Sequence, residues 1–312
     1  MASLLEVTNI KVRSLSIEYN ELSWELAPTT EDVLDFTFQI LRSEAPAGPW
    51  EAITEPFEDR YLFIDNRMKI NQPHRFCFYM IRVTNKASRE TKDFGPSSQE
   101  ADPDLLALEL RRHMNLLMRE FAGRRCWVLP ARTFGQRCPS CFNTTLKART
   151  RSGCRTCYDS GFVRGFLNPI ESWIQIDPAT ETKQQTNIGE VSQQNTTARL
   201  GYFPSLKPKD VIIEPENKRW RVVSVSSTQR LRAAVHQEIQ IHQIPKPDIE
   251  YAIDLDLGTG RVSTCGNVLE PLLLRDLFLA GSRNFTNPQN LDAVPNDGMQ
   301  DTLDLYGIVY PR

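Results

Sequence analysis

Four cysteines carry the clearest chemistry in this chain. Cys138-Pro-Ser-Cys141 is followed by twelve residues and then by Cys154-Arg-Thr-Cys157. Two close-spaced thiolate pairs brought together by a loop make a tetrahedral metal site, and the spacing points to Zn²⁺. Four thiolates leave no open position for a substrate, so the expected role of the ion is structural. The other readings of the same residues are two disulfides or four free thiols. Cys77, Cys126 and Cys265 are scattered, and seven cysteines are an odd number; a reducing compartment suits that usage better than a secreted disulfide scaffold. Metal binding of this kind supplies on the order of 10 kcal/mol to a small domain. Residues 125–168, which show almost no apolar core of their own, are expected to depend on it.

No other constellation is comparably organised. The chain has no G-x-x-x-x-G-K-[ST] loop, no G-x-S-x-G and no H-E-x-x-H. Gly258-Thr-Gly260 alone means little. His74, His113, His236 and His242 are dispersed; the last two share a face of a continuous strand but lack a third ligand. Asp254 and Asp256 also align, with nothing nearby to raise the pKa of one and spare the other. The expectation is therefore a chain with no catalytic residues, no bound organic cofactor and one structural Zn²⁺.

The elements that position the cysteines belong to an ordinary globular composition, 40% hydrophobic and 24% charged over 312 residues, enough for two or three domains. The N-terminus lacks a signal-peptide pattern and no apolar run approaches eighteen residues, so no membrane is expected and synthesis is expected in the cytosol. The net charge of −2 conceals an asymmetry: Arg111–Arg164 holds eleven Arg and one Lys against two acids, whereas Lys246–Arg312 holds five basic and ten acidic residues. The basic block suits nucleic-acid phosphate. It suits better a solvated face, or a subunit interface where arginines meet carboxylates such as Asp254, Asp256 and Asp276.

Residues 1–99 alternate in short strands, among them 22–26, 36–41 and 76–83, separated by turn residues such as Ala45-Pro46-Ala47-Gly48-Pro49. Trp24, Ile40-Leu41-Arg42-Ser43, Gly48-Pro49-Trp50 and Arg82-Val83-Thr84-Asn85 resemble a fibronectin type III domain over about residues 5–98. The chain departs from that family at its tyrosine corner, where Cys77 and Tyr79 lie. The resemblance implies a β-sandwich used for adhesion or spacing.

Asp102-Pro103 predicts a helix start, and Leu106, Leu110, Met114, Leu117 and Phe121 form an apolar stripe at helical spacing up to Gly123. This linking helix, 100–124, is expected to bury the stripe in a core or a subunit seam. After the four-cysteine knuckle, 125–168, period-two segments at 170–176, 211–213, 220–225 and 239–244 predict a small antiparallel β-barrel over 169–247, with a long polar loop at 180–199. Residues 248–312 read as an extended C-terminal arm that needs a partner surface. The fold class is thus mainly β and multidomain: an immunoglobulin-like β-sandwich, a helix, a zinc knuckle, a small barrel and an arm.

Pro204 to Glu214, a turn, Arg219-Trp-Arg-Val-Val-Ser-Val225 and a strand from Val235 to Ile244 resemble the barrel of tailed-bacteriophage head-completion and head-closure proteins, over about residues 165–247. That resemblance implies a virion component assembled in the host cytoplasm. It would form a homo-oligomeric ring of the head-to-tail connector, or neck, between portal or adaptor and tail, and help retain packaged DNA. The knuckle is not a general feature of the class. A zinc-ribbon nucleic-acid-binding protein that grips phosphate through residues 111–170, a baseplate or tail structural protein, and an enzyme with an accessory sandwich remain as alternatives.

Overall fold

A computed structural model describes residues 5–15, 19–65, 77–99, 104–178, 180–186, 189–231, 233–256, 261–264 and 267–269, with side chains outside 180–193 and before residue 254. The chain is mainly β, as its alternation requires. The first seven strands are β1 (Val7–Ser14), β2 (Asn20–Leu26), β3 (Phe36–Ser43), β4 (Glu51–Ala52), β5 (Leu62–Asp65), β6 (Phe78–Asn85) and β7 (Thr91–Ser97). They pair as two sheets in the orders β1-β2-β5 and β4-β3-β6-β7. Alternate residues of each strand turn inward: Leu22, Trp24 and Leu26 of β2 meet Phe36, Phe38 and Ile40 of β3 and Tyr79, Ile81 and Val83 of β6 in one buried cluster. The Trp24 indole lies 6.2 Å from the rings of both Phe38 and Phe57. Tyr79, in the region where the resemblance falters, is fully buried, and its hydroxyl donates to Asp65 at 2.9 Å and accepts from Asn20 at 3.1 Å.

The helix α1 (Leu105–Leu117) is capped by Asp104, whose carboxylate accepts the Leu106 N–H at 3.1 Å; the expected start, Asp102-Pro103, lies outside the described residues. A wider π turn, Met118–Ala122, extends it and stops at Gly123, whose N–H returns to the Met118 carbonyl at 2.8 Å. A Cβ at Gly123 would stand 2.3 Å from that carbonyl oxygen, so only glycine fits there. The buried face of the helix is Ala107, Leu108 and Arg111, continued by Met118 of the π turn. The stripe of Leu106, Leu110, Leu117 and Phe121 instead faces out, at 50, 41, 46 and 76% exposure.

The next strands are β8 (Arg124–Leu129), the short β9 (Phe142–Asn143) and β10 (Ala148–Arg149) of the knuckle, β11 (Ile170–Ile176), β12 (Thr180–Thr186), β13 (Gly189–Gly201), β14 (Val211–Ile213), β15 (Arg219–Arg230) and β16 (Ala233–Gln243). Six of them run β11-β8-β14-β15-β16-β13, all antiparallel, and close into a barrel through Ile174↔Leu200 and Ile176↔Ala198. The interior takes every second residue: Cys126 and Val128, Ile174, Ala198 and Leu200, Ile212, Trp220 and Val222, Ile239 and Ile241. Strand β8 lies before the cysteines, so the barrel is not confined to 169–247, and the knuckle is an insertion between two of its paired strands. The stretch 180–199 is not a loop: β12 pairs with β13 from Thr180↔Asn195 to Thr186↔Gly189, a two-stranded extension of the barrel wall. At the start of the expected arm, β17 (Asp254–Asp256), β18 (Arg261–Thr264) and β19 (Asn267–Leu269) form a three-stranded sheet. From residue 270 onward the arm lies outside the described residues.

Val211-Ile212-Ile213 is buried throughout because β14 is covered on both faces. Ile212 points into the barrel, while Val211 and Ile213 pack outside it with Leu129, Tyr158, Phe166, Ile244 and Ile253. Tyr158 and Phe166 come from the knuckle. Its base is therefore seated on apolar contacts, and the expectation of a segment with almost no core holds only for its tip.

Candidate metal centre

The insertion between β8 and β11 brings all four predicted cysteines to one point. Their sulfurs lie within 4.8 Å of one another, with Cys138 Sγ 3.8 Å from Cys154 Sγ and Cys141 Sγ 3.3 Å from Cys157 Sγ. A tetrahedral tetrathiolate with arms of about 2.3 Å has edges of about 3.8 Å, so the set fits an ion at its centre. The same separations are far beyond a disulfide bond of about 2.05 Å, and all four thiols are free. Three are buried; Cys154 is partly exposed.

Local backbone bonds aim the sulfurs. In the first turn the Phe142 N–H donates to the Cys138 carbonyl, and in the second the Ser160 N–H donates to the Cys157 carbonyl. The β9–β10 ribbon ties the first turn to the second through Thr150, whose N–H reaches the Cys141 carbonyl at 2.9 Å. Asp159 holds the second turn: its carboxylate accepts the N–H groups of Gly153 and Cys154 at 3.0 and 3.2 Å and pairs with Arg149 at 3.3 Å. Gly165 closes the base at φ +69°, where a Cβ would meet the Cys157 carbonyl at 2.6 Å. Burial and the neighbouring sulfurs push the Cys141 thiol up. At Cys154 burial acts upward too, but the N–H groups of Thr156 and Cys157 together with the neighbouring Cys157 and Cys138 thiols outweigh it and bring the pKa down to about 7. Metal binding requires thiolates. Among the described residues these four cysteines are the one group of His, Cys, Asp or Glu arranged to hold an ion.

The other predicted candidates do not converge. His236 bonds Thr228 at 3.1 Å, His113 faces Glu109 at 3.7 Å, and burial with the Arg221 charge lowers the pKa of His242. His74, Cys265, Gly258 and Gly260 lie outside the described residues, as do the side chains of Asp254 and Asp256.

Within the chain the basic block meets several acids, while the side chains of Asp254, Asp256 and Asp276 lie outside the described residues. Arg132 and Arg164 both reach Asp59 Oδ2, at 2.5 and 2.6 Å; Arg125 bonds Glu171; Arg124 faces Glu214 at 3.8 Å; Arg137 stacks on Phe142 and Phe162 at 4.6 and 4.1 Å. Arg111 donates to the carbonyls of Ser14 and Ala234, both at 2.6 Å, with its guanidinium 4.3 Å from the Tyr202 ring. Asp59 and Asp159 are the positioning residues that sequence reasoning missed. Asp159, two residues after Cys157, was within reach of a local argument; Asp59, some eighty residues upstream of Cys138, carried no signal. Neither a protein-family model nor a curated protein matches the chain.

Proposed function

We propose that this chain is a structural subunit of a tailed-bacteriophage virion, forming part of the neck ring that joins the portal to the tail and helps retain packaged DNA, with Zn²⁺ clamped by Cys138, Cys141, Cys154 and Cys157. The observation that carries the assembly reading is the outward stripe of α1. Leu106, Leu110, Leu117 and Phe121 form an exposed apolar ridge, and Leu105 and Leu116, at 59 and 49% exposure, lie beyond the Glu109–His113 pair that borders it. A ridge of that kind on an otherwise well-packed chain is an interface in waiting. A ring needs each copy to present two different complementary patches, and α1 supplies one.

Two further features support the reading. The closed antiparallel barrel agrees with the resemblance to head-closure proteins, and the sheet orders β1-β2-β5 and β4-β3-β6-β7 agree with the resemblance to fibronectin type III domains. The four-thiolate centre adds rigidity rather than reactivity, because four sulfurs fill the coordination sphere of Zn²⁺. Internal engagement of most arginines of the basic block counts against a protein whose whole Arg-rich segment grips nucleic acid.

The test is assembly. The zinc-loaded full-length protein is expected to form closed rings in sedimentation and negative-stain imaging as its concentration rises. Leu117→Asp with Phe121→Asp should leave a folded monomer with unchanged circular dichroism. Rings that persist in the double variant, or a wild type that stays monomeric at every accessible concentration, would overturn the reading.

A further inference from the structure

Of the eleven arginines between Arg111 and Arg164, Arg151 and Arg155 alone have no hydrogen-bond, ion-pair or stacking partner among the described residues. Both are exposed, and both line one recess of about 150 Å³ at the knuckle tip, together with Ser140, Gly153 and Cys154. Water occupies about 30 Å³ per molecule in the liquid, so the space admits a group the size of a phosphate. The one acid of residues 125–168, Asp159, is already taken by Arg149 and by the N–H groups of Gly153 and Cys154. Residues 137–164 carry six basic side chains and one acidic one. Four thiolates around a divalent ion subtract two charges, and the knuckle remains at about +3.

We propose that this recess binds a phosphodiester oxyanion of a nucleic-acid backbone, with Arg151 and Arg155 as the cationic forks and the Ser140 hydroxyl as a further donor. Guanidinium forks match phosphate oxygens bidentately, which an ammonium does not. Two forks and a hydroxyl offer more donors than a single carboxylate accepts, so the acidic C-terminal segment of another copy is the weaker match. Backbone phosphates recur every few ångströms along a strand, which allows both arginines to engage without reading sequence. This deepens the DNA-retaining part of the proposed function by naming its site. It stands apart from ring formation, since phosphate binding by a monomer and rings without phosphate binding are separate results.

The experiment uses the full-length zinc-loaded protein and a fluorescein-labelled random-sequence DNA duplex, with anisotropy read across a salt series. Each lost phosphate contact lowers the slope of log K against log salt by about 0.9, so Arg151→Ala with Arg155→Ala should reduce it by about 1.8 and weaken binding at least tenfold. Lys246→Ala, at an exposed position outside the knuckle, should change neither. Arg151→Lys with Arg155→Lys keeps the charge and should keep the slope while binding less tightly. Zinc content, measured for every variant, separates loss of the site from loss of the fold. An unchanged slope in the alanine pair, a slope lost equally in the lysine pair, or competition by polyglutamate as effective as by unlabelled duplex would overturn the proposal.

Discussion

Asp210 shows how a buried residue at the end of a barrel strand sets a pH dependence. Its carboxylate accepts the N–H of Ala131 at 2.8 Å and that of Lys207 at 2.7 Å, fixing the approach to β14 against the end of β8. Burial outweighs these donors and the Lys207 charge, and the pKa rises from 3.8 to about 6. A carboxyl whose folded pKa exceeds its unfolded value favours the fold in its neutral form. That contribution is complete below about pH 4 and is lost as pH rises through 6, on the order of 3 kcal/mol in all. Asp210→Asn removes the titration. The difference in urea-unfolding free energy between wild type and variant should therefore move by about 3 kcal/mol between pH 4 and pH 7, in favour of the variant at the higher pH. A difference that stays flat across that range would show that the carboxylate is not desolvated.

The knuckle, taken as an element, is a four-cysteine tip arranged to hold a metal ion on an apolar base. Among the described residues the buried cluster at the tip is Cys138, Cys141 and Cys157 with the partly exposed Cys154 against them, whereas Tyr158 and Phe166 are packed with Leu129 and Val211 of the barrel. Removing the ion from a site worth on the order of 10 kcal/mol should free the tip and spare the base. Elemental analysis after reducing purification is expected to find one zinc per chain. Chelation should then raise amide exchange across 138–156 by orders of magnitude while strands β8 and β11 keep their protection. A chain free of zinc, or a tip equally protected after chelation, would count against the thiolate centre. The helix makes the complementary point. Its apolar period is correct in the sequence, yet the stripe does not enter the chain's own core: Ala107, Leu108, Arg111 and Met118 form the buried face, and the helix packs on β16 and β13.

Across the whole molecule, sandwich, knuckle and barrel fall within one compact unit, Met1–Pro271, rather than following one another as beads. Phe134, from the segment after β8, enters the sandwich core with its ring 4.8 Å from that of Tyr61. Beside it, Asp59 of the sandwich binds Arg132 and Arg164 from either end of the knuckle, and the Tyr61 hydroxyl at 3.1 Å. Burial disfavours the charge on Arg132, but Asp59 more than compensates and its pKa goes up. Tyr202 and Arg111 make a second seam, donating to the carbonyls of Leu15 and Ser14. Removing one partner of a buried ion pair strands the other, so Asp59→Ala should cost about 3–5 kcal/mol. It should also split a single urea transition, followed by tryptophan fluorescence, into separate sandwich and barrel steps. A loss below about 1 kcal/mol with one transition would show the modules to be independent.

What depends on neighbours along the chain could be read from the residues alone: alternating strands from period two, an amphipathic helix from its apolar spacing, and a four-cysteine centre from two pairs with two residues between their members. Ile170–Ile176 and Val211–Ile213 were legible to the residue for that reason. Tertiary structure decided everything that required distant residues to meet. It closed the barrel through β11 and β13, recruited β8 from ahead of the knuckle, turned 180–199 into a paired extension and placed Asp59 between two arginines far along the chain. Period reports which face of an element is apolar, but only the packed chain reports what that face meets. Long-range pairing is chosen by the summed burial of many residues, and no local window contains that sum.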